Sequence, residues 1–319
     1  MQVSIIIPTY NRVKDLDACL DSIINQTLLP KEIMIVDDSD NDEIENLIEQ
    51  REKEFKEKKM FLRYIRNEKE RSSAIARNVG AENAKGEIIL FLDSDVILHK
   101  DYIREILKVY EGHQNAKGVQ GYITNSIKLP KLISNIHKFL FLEHHEKNKC
   151  RVLPSTEQTY PYLTDKIISC EWLSGSNKSY KKEIFEEFKF DENLKKYSFK
   201  EDADLSYRIF KKYPDSLFMT PYAKLIHNVS QVGRIPKREL NNLKEIYRLY
   251  FFYKNINQTF KNKLIFLRSR LCYLILDVLS RQQNRFLQFR YRIGAYIMCI
   301  KHLREIKRGD LEFFNKGLR

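Results

Sequence analysis

The sequence predicts an α/β domain on a largely parallel sheet, followed by a basic helical extension, and three observations carry that expectation. Strand-like and helix-like segments alternate four times within roughly the first hundred residues, the pattern of linked βα units. The strand-like runs are almost wholly apolar, as in sheets covered on both faces. All of the excess positive charge lies at one end. Residues 1–232 hold 36 basic and 37 acidic side chains, whereas residues 233–319 hold 20 and 6.

Val3–Ile7 is an apolar run stopped by Pro8, read as a buried strand. Val13–Asn25 follows as a helix with Leu16, Leu20, Ile23 and Ile24 on one face. Glu32–Val36 is the second strand and ends on Asp37-Asp38. Asp42–Lys59 is a charged helix, Phe61–Ile65 the third strand and Ser73–Ala84 the next helix. Glu87–Leu92 is the fourth strand, ending on Asp93-Ser94-Asp95. Beyond it the pattern weakens to a strand at Val119–Ile123, a helix over Lys131–Lys149 and an extended piece at Ile167–Trp172. A loop at Leu173–Asn177, a short helix at Lys181–Phe188 and a clearer one at Glu201–Lys212 complete the domain. Ligands of open parallel sheets bind outside the carboxyl ends of the strands. Polar clusters stand at three of these four ends.

With 43% apolar, 12% aromatic and 31% charged residues, the 319-residue chain is globular, which excludes disordered and collagen-like classes. The charge shift places a domain boundary near Val229–Arg234, giving a near-neutral unit over 1–232 and a basic region over 233–319. Five cysteines, Cys19, Cys150, Cys170, Cys272 and Cys299, form no C-x-x-C pair, so neither a disulfide framework nor a thiolate zinc site is expected. A reducing compartment follows. No apolar run reaches the roughly 18 residues of a membrane span, and no basic n-region with an apolar h-region opens the chain. The expected location is cytoplasmic, peripheral on the inner face of the cell membrane.

Asp93 and Asp95, two apart at the end of a strand, can present their carboxylates together. Two hard oxygen ligands suit Mg²⁺ or Mn²⁺, although Asp and Ser are also ordinary turn residues. Asp37-Asp38 could accept hydrogen bonds from a ribose or base, or could cap the helix that follows. Arg77, in Arg77-Asn78-Val79-Gly80, is a cation suited to a diphosphate, with a solvated helix face as the bland reading. Glu201-Asp202-Ala203-Asp204 opens a helix where one or two carboxylates are favoured by the macrodipole. Three acids in four residues exceed that need, and an ionised Asp there could act as a general base.

Taken in order, these motifs resemble one family. Val3-Ser4-Ile5-Ile6-Ile7-Pro8-Thr9-Tyr10-Asn11-Arg12, Val36-Asp37-Asp38-Ser39, Ala76-Arg77-Asn78-Val79-Gly80, Asp93-Ser94-Asp95 and Glu201-Asp202-Ala203-Asp204-Leu205 are similar to the ordered set of family 2 inverting glycosyltransferases of GT-A fold. The resemblance covers residues 1–230. It implies a Rossmann-like, mostly parallel sheet flanked by helices, and a nucleotide-sugar donor, with UDP the expected nucleotide. Pro8, Thr9 and Tyr10 would line the nucleobase, with Asp38 reading its edge and Asp37 beside it. Arg12 and Arg77 would sit near the diphosphate, Asp93 and Ser94 at the donor, and Asp95 on a Mn²⁺ or Mg²⁺ ion with Asp93. His227, in Ile226-His227-Asn228, matches a downstream His that completes the metal or diphosphate site in several members; a lone His is also a common structural residue. Asp202 would be the catalytic base, with Glu201 helping to place the acceptor. Trp172–Asn177 falls where relatives place a loop near sugar and acceptor, and it lacks the usual second Gly.

In the extension, Leu264, Leu267, Leu271, Leu274 and Val278 recur at helical spacing, with Arg270, Asp277 and Arg281 on another face. A second segment, Phe286–Ile300, mixes aromatic and aliphatic residues with Arg285, Arg290 and Arg292. Two readings stand: a helical subdomain or homo-oligomer interface, and an in-plane anchor on anionic lipid that suits a glycan or lipid-linked acceptor. A nucleic-acid-binding tail with Tyr247, Tyr250, Tyr253 and Tyr273 as stacking platforms is the alternative from another class. It leaves the acidic strand ends without a role. A sugar nucleotidyltransferase would also use metal and carboxylates, but would carry a Gly-rich phosphate loop after the first strand, where Pro8–Arg12 has no Gly.

Overall fold

Ile5, Ile6 and Ile7 are fully buried in the strand Val3–Thr9 (β1), each contributing about 1.5–3 kcal/mol through burial. The computed structural model describes residues 1–126, 130–162, 165–195, 197, 199–279 and 284–315. Arg281 lies outside them. After β1 come Val13–Ile24 (α1), Glu32–Asp37 (β2), Glu43–Glu57 (α2), Phe61–Arg66 (β3), Ser73–Asn83 (α3), Ile88–Leu92 (β4), Val96–Leu98 (β5), Tyr102–Gly112 (α4) and Gly118–Ile123 (β6). Lys131–Phe139 (α5), His144–Lys147 (β7) and Thr159–Tyr162 (β8) follow. Next are Ile168–Ser169 (β9), Asn177–Lys181 (β10), Ile184–Glu187 (α6), Glu201–Lys212 (α7) and Leu217–His227 (β11). The chain then runs through Lys237–Asn255 (α8), Phe260–Leu279 (α9), Arg285–Lys301 (α10), Leu303–Arg308 (α11) and Glu312–Asn315 (α12).

Two compact units emerge. The first comprises Met1–Ile127 with Leu163–Gly233, and the second Lys128–Tyr162 with Arg234–Arg319. A boundary therefore falls between Gly233 and Arg234, and the second unit also takes in a stretch that the charge pattern left in the first. That stretch is not one helix over Lys131–Lys149: α5 ends at Phe139, and His144–Lys147 pairs in parallel with β8. The expected short helix at Lys181–Phe188 is α6 alone, because Asn177–Lys181 is drawn into the sheet.

The first unit is an α/β fold around one mixed sheet of order β3-β2-β1-β4-β10-β6-β11-β5, with β9 on β11. The β3-β2-β1-β4 half is parallel, so its carboxyl ends lie along one edge. The ladder between β1 and β4 stops at Ile6, and Pro8, which has no N–H, sits beyond it. Helix α3 packs tightly on β1: a Cβ on Gly80 would lie 2.4 Å from Ile6 Cγ2. β10 runs antiparallel to both β4 and β6, and β11 is parallel to β6. β11 also pairs antiparallel with β5, with His227 opposite Val96. All five cysteines are buried and free.

Candidate active site

The side of the sheet at the carboxyl ends of β1, β2 and β4 gathers the residues singled out from the sequence. Thr9 and Ser94 are both buried there, and their hydroxyl oxygens have no hydrogen-bond partner among the described residues. Buried polar atoms are ordinarily satisfied, and these two hydroxyls are available to a bound partner or water. Pro8 and Tyr10 are half-buried beside them. The Arg71 guanidinium lies over the Tyr10 ring, 3.2 Å from its centroid.

The two acids at the end of β2 do different work. Asp37 is buried; it accepts the Ser39 N–H at 2.9 Å and the Ser39 hydroxyl at 2.5 Å on one oxygen, and the Tyr64 hydroxyl at 3.1 Å on the other. Its acceptors are occupied in holding the loop, and it serves as a brace behind its neighbour. Asp38 is half-buried and accepts the Asn67 amide at 2.5 Å. Burial pushes its carboxyl up to about 6, against the pull of Asn67 and Arg71.

Asp93, Asp95 and His227 each offer a ligand atom, and these atoms lie within 4.8 Å of one another. The placement is a product of the sheet: the turn between β4 and β5 presents the carboxylates, and the β5–β11 ladder carries His227 to them. His227 Nε2 stands 3.1 Å from Asp95 Oδ1. Asp95 Oδ2 accepts the Ser230 N–H at 2.9 Å and faces Arg12 at 3.3 Å. Burial pushes the Asp95 carboxyl up, but His227, the Ser230 N–H and Arg12 outweigh it and leave it below its ordinary value. Burial alone would lower His227; the Asp95 and Asp93 carboxylates raise it instead. Two carboxylates and an imidazole are a donor set that fits Mn²⁺ or Mg²⁺.

Behind this cluster lies a buried charge network. Arg77, 1% exposed, donates to Glu201 at 2.9 Å and to Asp93 at 3.1 Å, and stands 3.4 Å from Asp202. Lys178, fully buried on β10, donates to Asp202 and to the Gly175 carbonyl. Burial pushes the Asp202 carboxyl up, yet Arg77 and Lys178 hold it below its ordinary value, so it is ionised at neutral pH. Gly175 leaves room for Asp202: a Cβ there would lie 2.2 Å from Asp202 Oδ2 and would require that carboxylate to shift. Asp202 keeps 14% exposure while Glu201 keeps 1%. The Glu201 carboxylate is turned to Arg77, from which one of its oxygens accepts at 2.9 Å.

Arg12, Arg77, Asp93, Ser94, Asp95 and His227 are thus brought together with Glu201 and Asp202, while Pro8, Thr9, Tyr10 and Asp38 line the β1–β2 end. Lys178, Arg71, Asn67 and Ser230 escaped the sequence reading. Lys178 sits in Asn177-Lys178-Ser179-Tyr180, where only the alternation of a strand could have pointed it inward; for the others the sequence carries no periodic signal.

Clustered carboxylates at a strand end, a His from β11 and a buried Arg beside the start of α7 converge on one side of an α/β sheet, and the comparisons identify the family. Residues 4–188 match the model of glycosyl transferase family 2, and the chain belongs to that family, with its GT-A fold. Glycosyltransferase GlyA of Streptococcus pneumoniae serotype 4 is 30% identical over 190 residues, 60% of this chain and 26% of that protein. The chain spans about a quarter of the length of the first curated relatives it matches. Among solved structures, S. aureus TarS in complex with UDP-GlcNAc aligns with a TM-score of 0.57 at 15% identity, over 98% of this chain and 89% of that one. Mannosyltransferase PcManGT from Pyrobaculum calidifontis, in complex with GDP-Man and Mn²⁺, aligns with a TM-score of 0.55 at 16% identity, over 97% and 84%.

Proposed function

We propose that the protein moves a sugar from a nucleoside diphosphate sugar, UDP the favoured nucleotide, to a hydroxyl of a glycan or lipid-linked acceptor with inversion at the anomeric carbon. The observation that carries this reading is the convergence of Asp93, Asp95 and His227 next to Asp202 and its two buried cations. TarS bound to UDP-GlcNAc and PcManGT bound to GDP-Man and Mn²⁺ support it by likeness of fold. Asp38 accepts from the nucleobase edge, with Pro8, Thr9 and Tyr10 around the ring and Asp37 bracing the loop. A divalent metal held by Asp95, Asp93 and His227 would supply positive charge at the departing diphosphate. Arg12 and Arg77 add charge at the same end of the crevice.

Asp202 takes the proton of the acceptor hydroxyl as that oxygen attacks the anomeric carbon. The bond from that carbon to the diphosphate oxygen breaks, the electron pair leaves with the nucleoside diphosphate, and one displacement inverts the centre. Arg77 and Lys178 keep Asp202 ionised before the attack, and Glu201 holds Arg77 in place. Thermal unfolding with UDP, GDP, dTDP and CMP, each with and without Mn²⁺, tests the reading, because a ligand that binds only the folded state raises apparent stability. A metal-dependent rise with one diphosphate is expected. No rise with any of them, or pyrophosphate as the product released in turnover, would overturn it.

A specific observation in the second unit supports an anionic membrane surface as the place where the acceptor is met. None of the side chains of α5 is buried, with Leu132 and Phe139 at 72% and 71% exposure. On α9 the stripe Leu264, Leu267, Leu271 and Ile275 is exposed, so the face the spacing marks as apolar points outward. Arg268 of α9 lies over the Phe139 ring, 4.7 Å from its centroid, which joins the two helices at that end. Conversely, Arg270 is buried against Glu157 at 2.6 Å and Glu245 at 3.2 Å. No described helix is long and apolar enough to cross a membrane, whereas an apolar stripe flanked by Lys261, Lys263 and Arg268 suits in-plane attachment. The chain should sediment with phosphatidylglycerol vesicles at low salt, and Leu267→Glu with Leu271→Glu should remove most of that binding. A wild-type chain that stays in the supernatant, or one whose exposed stripe proves by light scattering to close a dimer, would reject this attachment.

A further inference from the structure

We propose that the helical unit carries a second ligand site, a cationic cavity walled by α8, α9 and α10 that takes a phosphate-bearing ligand. The cavity encloses about 640 Å³, within the range of small-molecule sites. Every described residue lining it belongs to the second unit, so it shares none with the candidate active site. Five lining side chains are cationic, Lys237, Lys244, Arg248, Arg285 and Arg292, against the two carboxylates Glu143 and Asp277.

The cations divide into two layers. Arg248 and Arg292 are fixed from behind: Arg248 meets Glu245 and Glu157 at 2.9 Å each, and Arg292 meets Asp277 at 2.5 Å and Glu245 at 2.9 Å. These fully or largely buried carboxylates, which also hold Arg270, fix the two guanidinium groups in place, and the cations Lys237, Lys244 and Arg285 stand against the carboxylate of Glu143 in the rest of the described lining. Lys237 and Arg285 are exposed. Lys244 is half-buried, and burial followed by the nearby Arg248 pushes its amine below the usual range. A cavity whose mouth concentrates positive charge over a neutralised floor raises the local concentration of anions. A phosphate group, with its double charge and several acceptor oxygens, answers that arrangement through charge-assisted hydrogen bonds. The ligand is either a soluble phosphate ester or the phosphate of a lipid headgroup; the recognising chemistry is the same.

Calorimetric titration of the full chain with inorganic pyrophosphate and with glycerol phosphate, in EDTA, tests the site. Both should bind, and Lys244→Gln combined with Arg285→Gln should weaken Kd by about tenfold or more. Asp95→Ala, which alters only the donor crevice, should leave this Kd unchanged. Lys237→Gln and Arg285→Gln, both at exposed positions, provide the same comparison should the Lys244 variant fail to fold. Competition by phosphatidylglycerol vesicles for the bound probe identifies a lipid headgroup, and binding indifferent to vesicles identifies a soluble phosphate ester; each result supports the site. Absence of binding to the wild-type chain, a Kd unmoved by the cation variants, or a loss of binding in Asp95→Ala would overturn it.

Discussion

Asp202→Asn is expected to lower turnover by roughly 10²–10⁴-fold, the contribution of a positioned general base, while nucleotide affinity changes little. The substitution keeps the shape of the side chain and removes the charge that Arg77 and Lys178 surround. Its effect should therefore fall on the chemical step and not on donor binding. Asp204, two residues on, supplies the control: its carboxylate is buried and accepts from Arg208 at 2.9 Å, so Asp204→Asn should cost stability and leave the rate per folded molecule nearly intact. Single-turnover rates and UDP affinity, measured on both variants, separate the two. An Asp202→Asn enzyme near the wild-type rate would remove Asp202 from the role of base.

Asp95→Ala should abolish the metal-dependent part of nucleotide diphosphate affinity. Asp95 anchors three things at once: it faces His227 and Arg12 and accepts the Ser230 N–H. Its loss removes a direct ligand from the cluster with Asp93 and His227, and loss of even an outer-shell partner costs roughly 10–100-fold in metal affinity. Calorimetric titration of UDP with and without Mn²⁺ provides the check. In the wild-type chain EDTA should reproduce the affinity of the variant. UDP affinity that is equal for both chains, with and without Mn²⁺, would contradict the assignment of this cluster to a metal.

Much of the first unit was legible because its information is local. A run such as Val3–Ile7 buries every side chain, and Pro8 or Asp37-Asp38 marks where such a run is near its end; the observed β1, β2, β3 and β4 keep those places within a residue or two, β1 running through Pro8 to Thr9. The later strands were harder. β5 has three residues and β9 two, too few for alternation to show, and β10 was hidden beside the loop that precedes it. Their ladders join residues far apart in sequence, such as His227 to Val96 and Lys178 to Gln120.

The candidate site divides in the same way. Asp93-Ser94-Asp95 and Glu201-Asp202 were legible as ordered motifs at the end of a strand and the start of a helix, and Arg77 within the motif Ala76–Gly80 of α3. Their division of labour was not. Asp37 and Asp38 are adjacent and chemically identical, yet Ser39 and Tyr64 hold one in a buried position while the other is half-buried against Asn67. In the basic extension the spacing of Leu264, Leu267 and Leu271 identified a helix face correctly but not its direction, because a face is defined by periodicity and its burial by what packs there. The sequence by itself determined the strand and helix alternation, the acidic strand ends and the position of the excess charge, all properties of neighbouring residues. Only the tertiary structure decided that His227 joins Asp93 and Asp95, that Lys178 stands behind Asp202, and that Arg270 turns inward to Glu157 and Glu245. Those outcomes depend on which distant elements meet, and a buried charge is tolerated only where an opposite charge arrives from elsewhere in the chain.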